Sequence, residues 1–165
     1  MKLELKHIVP YLPYGLKCQL MGESKEDIDH DDNPAPKVFL IDGAKRDLIH
    51  VWSKKTMTDE WIYEEVFPIL RPLSDLTKEI DIDGENVLFC DYITDKYGDC
   101  ETFYSFNDGA IVEDTYRGED AINHKHLYPN TECYPYFIIK ELLRLHFDIF
   151  GLIKEGLAID INTIN

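Results

Sequence analysis

The sequence is short of positive charge. Lysine and arginine together number 17 against 32 aspartates and glutamates, a formal net charge of −15. A general nucleic-acid or acidic-membrane binder needs a basic field, so this shortage argues against both kinds of partner. Long hydrophobic runs are absent too. Lys2, Glu4, Lys6 and His7 interrupt the first residues and Pro10 and Pro13 follow, so neither a signal peptide nor a membrane helix is expected. No GxxxxGK loop, GxGxxG turn or GxSxG elbow occurs. That removes the ordinary nucleotide-hydrolysing, dinucleotide-binding and serine-hydrolase readings. Cysteine is sparse, and Cys18, Cys90, Cys100 and Cys133 form no CxxC pair. Their apolar or aromatic surroundings suggest reduced core thiols in a cytoplasmic protein, with paired disulfides as the alternative. Asp91, Asp99 and Glu101 flank Cys90 and Cys100 and should hold their thiols protonated and inert.

What is present is globular. Of 165 residues, 44% are hydrophobic and 12% aromatic, enough to build a core without metal or disulfide staples, which places the acidity on the surface. One domain over 1–165 is expected. Its least foldable stretch is 22–36, GESKEDIDHDDNPAP, which has little to bury and is expected to form a mobile acidic loop.

Periodicity outlines the elements. Residues 3–9 are a short periodic segment ended by two prolines and Gly15, and 16–21 reads as a strand. Runs at 37–42 and 47–52 flank Gly43-Ala44-Lys45-Arg46 as a hairpin. A short helix is expected from Trp61 to Ile69, limited by Pro68 and Pro72. Residues 79–85 alternate into an Asp83-Gly84 turn, and 87–93 is ambiguous between strand and helix. The clearest hairpin joins 101–106 to 110–113 through Asn107-Asp108-Gly109, whereas 114–130 looks irregular and partly helical. Tyr136, Ile139, Leu142, Leu143, His146, Ile149, Phe150 and Ile153 keep a three-or-four spacing, the mark of a buried helical stripe. The expected fold is α+β, with antiparallel β-hairpins packed on a long C-terminal helix.

Candidate chemistry is thin. The acidic run at 27–33 and the segment from Glu79 each miss required calcium-loop positions, and solvated charge or a hairpin turn accounts for them better. His124 and His126, two apart, would share one strand face and could chelate a transition metal; their nearest further ligands in sequence are Cys133 and Asp120. A surface histidine pair is the plainer reading. His146, on the apolar stripe, reads as a core-edge histidine satisfied by one hydrogen bond. The basic cluster is Lys37, Lys45, Arg46, Lys54 and Lys55, with aromatics Trp52, Trp61 and Tyr63 nearby. It could hold a small phosphate-bearing ligand, cations on phosphate and an aromatic ring on a base; alternatively, such lysines keep an edge hairpin from pairing with neighbours. No cofactor is implied.

Three stretches carry a resemblance: LELKHIVPYLPYGLK at 3–17, ILRPLSDLT at 69–77, and HFDIFGLI at 146–153 with GLAID at 156–160. Together they resemble a family of small uncharacterised proteins of gut Bacteroides-type bacteria, their prophages and phages. The resemblance implies a cytoplasmic accessory protein of a phage or mobile element, and it brings no catalytic residues with it. With no catalytic constellation and a charge of −15, the leading expectation is a non-enzymatic, acidic protein-interaction module that binds a host or phage protein. A sharper version is a DNA-mimic inhibitor of a host factor, its carboxylates standing in for phosphates. The alternatives are a protein that sequesters a small ligand or nucleotide signal near Lys45, Arg46 and Trp52, and a metal-dependent enzyme built on His124 and His126.

Overall fold

The structure is a computed structural model that describes residues 1–21, 38–46, 48–52, 59–99, 101–115 and 124–164, with the backbone alone described at 59 and 124. The segment 22–36, expected to be a mobile acidic loop, lies outside these residues. In chain order the elements are α1 (Leu5–Ile8), β1 (Lys17–Leu20), β2 (Phe39–Ala44), β3 (Ile49–Trp52), β4 (Asp59–Trp61), β5 (Val66–Leu70), β6 (Glu79–Ile82), β7 (Glu85–Leu88), α2 (Phe89–Tyr97), β8 (Thr102–Asn107), β9 (Ala110–Thr115), β10 (His124–Tyr128), α3 (Tyr136–Arg144) and β11 (Ile159–Asp160). Mixed helices and antiparallel hairpins make the fold α+β. The chain, read from sequence as one domain, divides into two compact units, Met1–Pro72 with Leu143–Asn165 and Leu73–Leu142.

The first unit is a sheet in the order β11-β5-β1-β2-β3-β4, antiparallel except where β11 joins β5 in parallel. Alternation assigns its faces. Cys18, Ile41 and Val51 point inward and are buried with Ile8, Tyr11, Leu16, Leu70 and Leu152. Where a helix is expected from Trp61 to Ile69, the chain instead forms β4, a short 3-10 turn at Tyr63–Glu65, and β5. Pro68 would break a helix interior, and Val66-Phe67-Pro68-Ile69-Leu70 is an almost fully buried run that pairs on both sides, as the interior strand of a sheet does. The β2–β3 turn lies two residues beyond its expected place: Gly43 sits within β2 at a register irregularity, and the Lys45 amide donates to the Leu48 carbonyl at 2.7 Å.

The expected long C-terminal helix is replaced by a nine-residue helix, α3, and an irregular tail. The chain leaves the helix at His146, whose φ is 58° and whose amide closes onto the Leu143 carbonyl at 3.0 Å. Tertiary pairing takes over there: the Arg71 amide donates to His146, the Asp148 amide donates to Arg71, both at 2.8 Å, and Phe147 bridges Arg71 in parallel. Asp148 is buried and both its carboxylate oxygens are used, accepting the Leu152 and Ile153 amides at 2.8 Å each. The tail then lays β11 on β5.

In the second unit the two Asp-Gly turns form as their sequences predict. Asp83 and Gly84 have φ of 56° and 93°, and Asp108 and Gly109 have 50° and 82°, the double left-handed geometry that matches hairpin twist. These turns close β6/β7 and β8/β9, and β10 completes a sheet in the order β10-β9-β8. The stretch 114–130, expected to be irregular, therefore contributes the end of β9 and all of β10. The ambiguous 87–93 divides, strand to Leu88 and helix from Phe89. Helix α2 ends at Gly98, where a Cβ would fall 2.5 Å from the Thr94 carbonyl oxygen and 2.6 Å from that of Thr102, so only glycine fits.

Helix α3 buries Ile138, Glu141 and Leu142, while Tyr136, placed on the apolar stripe by its spacing, is 81% exposed. A carboxylate on the buried face is tolerated because α2 supplies its donors. Glu141 accepts from the Tyr92 hydroxyl at 2.9 Å, the Tyr97 hydroxyl at 2.6 Å and the Lys96 ammonium at 3.0 Å, and Lys96 also donates to the Tyr92 hydroxyl. Glu141 is 1% exposed, whereas the Lys96 side chain keeps contact with water. Removing the cation strands a buried charge; removing the carboxylate releases a lysine that can hydrate. Lys96→Met is therefore expected to cost about 2–4 kcal/mol in urea unfolding and Glu141→Leu only about 1 kcal/mol. Equal costs would show that burial of the carboxylate is not the controlling feature.

Candidate functional site

The sequence candidates Lys45 and Arg46 stand at the turn that follows β2. The Lys45 carbonyl accepts the Tyr63 hydroxyl at 2.6 Å, which pins the turn, and its ammonium reaches Glu60 at 3.2 Å. Both partners are exposed, so the pair adds at most about 1 kcal/mol. His50 Nε2 lies 3.6 Å from the same Glu60 oxygen. Arg46 is exposed and no described residue pairs with it. It borders a hollow of about 590 Å³ formed with residues 3–6 and 62–64. Trp52 occupies the other end of β3, opposite Leu40, three residues or roughly 10 Å along the strand from Ile49 beside the turn. The turn cations and the indole are therefore at opposite ends of the hairpin. Lys37, Lys54 and Lys55 lie outside the described residues.

Trp52 has different neighbours. The register places Lys17, Leu40 and Trp52 in one row across β1, β2 and β3, on the face opposite Cys18, Ile41 and Val51. Leu40 is 39% and Trp52 42% exposed, and Val38, two residues before Leu40, is 43% exposed. These three apolar side chains are exposed on the outer face, with Asp42, His50 and Glu60 beyond them. The sequence carried a signal for this that the hairpin reading passed over. Val38-Phe39-Leu40-Ile41 is apolar at every position, so whichever face turns inward, apolar side chains remain on the other.

His124 and His126 fall on β10, opposite Thr115 and Glu113 of β9. Glu113 is the carboxylate that register brings to this pair; Asp120 lies outside the described residues, and Cys133 is exposed in a 3-10 turn at Thr131–Cys133. The Glu113 carboxylate already accepts the Tyr128 hydroxyl at 2.7 Å, and Tyr104 stands opposite Glu113 in the β8/β9 register. Burial first, and Glu113 second, push the Tyr104 phenol up to about 12. The His126 ring packs 4.5 Å from that of Tyr128. Among the described residues, no three histidine, cysteine, aspartate or glutamate side chains converge as a metal-holding group. No helix of the described residues is long and apolar enough to cross a membrane.

Comparison with protein-family models, curated proteins and solved structures finds no match.

Two of the described thiols are poorly placed to act as nucleophiles. Cys18 and Cys90 are buried, and burial pushes both thiols up to about 12, with Asp91 adding to the effect at Cys90. Cys133, expected in the core, is exposed because its short turn projects to solvent. His7 and His146 are held below the ordinary imidazole range, first by burial and then by cations: Lys6 near His7, Lys17 and Arg71 near His146. The two rings are engaged in opposite senses: His7 Nδ1 accepts the Glu4 amide at 3.1 Å, whereas His146 Nε2 donates to the Tyr14 carbonyl at 3.0 Å. The reading of His146 as a core-edge residue with one hydrogen bond fits that contact.

Two measurements follow from these environments. In a Cys100→Ser background, native protein should react with a thiol reagent at Cys133 while Cys18 and Cys90 stay protected; rapid labelling of either buried thiol would contradict the assigned burial. The histidines set a pH dependence. Their folded pKa values are depressed, so between those values and about 6.5 the unfolded chain binds more protons than the folded one. Their stabilising contribution is thus complete above about pH 6.5 and falls as the pH drops through that window. Comparing urea unfolding at about pH 7.5 and 5.5, His7→Gln and His146→Gln should each show a smaller acid loss than the parent. An equal or larger loss in both variants would contradict the assignment.

Proposed function

We propose that the protein is a non-enzymatic, acidic protein-interaction module that docks a host or phage protein through the outer face of its first unit. The observation that carries this reading is the exposed row of Leu40 and Trp52 with Val38 beside them. Apolar side chains rimmed by charge match the anatomy of a protein interface, and tryptophan is a common energetic anchor at such a centre. The net charge of −15 selects a partner whose surface around the apolar contact is basic, and it speeds encounter more than it tightens the final complex. A DNA-binding host factor has such a surface, and inhibition by carboxylates that take the place of phosphates is the sharpest form of the proposal. The resemblance of residues 3–17, 69–77 and 146–160 adds its setting, an accessory protein of a phage or mobile element working in the bacterial cytoplasm.

Affinity capture from a Bacteroides-type host lysate tests the reading, with the parent protein and a Leu40→Glu, Trp52→Ala variant as paired baits. Both substituted side chains are exposed, so circular dichroism should be unchanged. The parent is expected to retain a protein that the variant loses, and raising salt from about 0.05 to 0.5 M should weaken retention steeply. Identical protein sets on both baits would refute the docking face. Retention indifferent to salt would refute the DNA-mimic form.

A further inference from the structure

We infer that the hollow beside Arg46 is a binding site for a small organic oxyanion, a carboxylate or phosphate ester carried on an apolar body. The site is distinct from the outer sheet face and does not rest on the docking proposal. Three pieces of chain build it: the entry and body of α1, the turn after β2, and the link from β4 into the following 3-10 turn. Its volume of about 590 Å³ suits a small ligand.

The charges around it are unequal in availability. Lys6 and Glu4 occupy each other at 2.9 Å, and the Lys6 ammonium is the main cause that holds the Glu4 carboxyl below its ordinary range. Glu64 is met by Lys2 at 3.6 Å, and the nearby Lys45 is committed to Glu60. Arg46 alone among the lining cations has no carboxylate partner among the described residues, in a chain whose acids outnumber its bases 32 to 17. Its planar fork suits an oxyanion held by two hydrogen bonds. The wall beside it is apolar: Leu5 is partly buried and Ile62 is 45% exposed, so Ile62 offers a surface that an aromatic or aliphatic body would cover. The Tyr63 bond to the Lys45 carbonyl fixes the two loops that carry Ile62 and Arg46, so the site needs little ordering on binding. The small-ligand alternative read from Lys45, Arg46 and Trp52 thus keeps Arg46 and exchanges the distant indole for Leu5 and Ile62.

The test is titration with phenyl phosphate, benzoate and benzyl alcohol, read by ligand-observed and amide NMR. The parent protein is expected to bind at least one of the two anions and to show shifts at residues 3–6, 46 and 62–64, with benzyl alcohol much weaker. Arg46→Ala should weaken anion binding about tenfold, and Arg46→Lys, which keeps charge without the fork, should fall between. The Leu40→Glu, Trp52→Ala variant should bind the anion as the parent does, which separates this site from the docking face. No anion binding by the parent overturns the inference. So does equal affinity in Arg46→Ala, equal binding of the alcohol, or shifts confined to the outer face.

Discussion

The first unit depends on the Tyr11 hydroxyl. This buried group donates to the Phe147 carbonyl at 2.7 Å and accepts the Ile149 amide at 3.3 Å, so one side chain near the start of the chain holds both sides of the C-terminal turn around Asp148. Burial, with Asp148 adding to it, pushes the phenol well above its ordinary range; it stays protonated, as a donor must. Asp148 continues the arrangement by accepting the Leu152 and Ile153 amides. The tail is thereby directed to the β5 edge, where β11 pairs and Leu152 enters the core. Without that junction, β5 would expose an unpaired edge and lose its parallel neighbour.

The surfaces follow from this frame. The sheet requires Cys18, Ile41 and Val51 inside, and the period of two then forces Leu40 and Trp52 outside. Tyr63 reaches back to the Lys45 carbonyl and fixes the opposite end of the same hairpin, leaving Arg46 at the rim of the hollow. One hairpin therefore presents two chemically different features: an apolar patch at one end and, at the other, a guanidinium with no carboxylate partner among the described residues. The buried thiols of Cys18 and Cys90 and the rings of His7 and His146 are engaged in structure.

The parts of the fold legible from sequence are those decided within a few residues. Asp83-Gly84 and Asp108-Gly109 specify hairpins through backbone conformation alone, and both form where expected. The parts that were not legible depend on partners distant in the chain. Residues 66–70 have helix-compatible spacing, yet β1 and β11 on either side make them a strand. His146 keeps the period of α3, but pairing with Arg71 ends the helix before it. Glu141 would be assigned to solvent by any polarity rule, and it is buried because Tyr92, Lys96 and Tyr97 meet it. The candidate site divides the same way. Arg46 was visible as a basic residue, whereas its separation from Trp52 and its proximity to Leu5 and Ile62 required the register and the α1 packing.

Native-state hydrogen exchange of the Leu152 and Ile153 amides, set beside amides of β1 and β5, tests the central claim most directly. If the Tyr11–Phe147 junction closes the first unit, all of these should open together, and Tyr11→Phe should lower their protection by a common factor. If the tail amides exchange orders of magnitude faster while β1 and β5 keep full protection in both forms, the sheet stands without the junction and the account is contradicted.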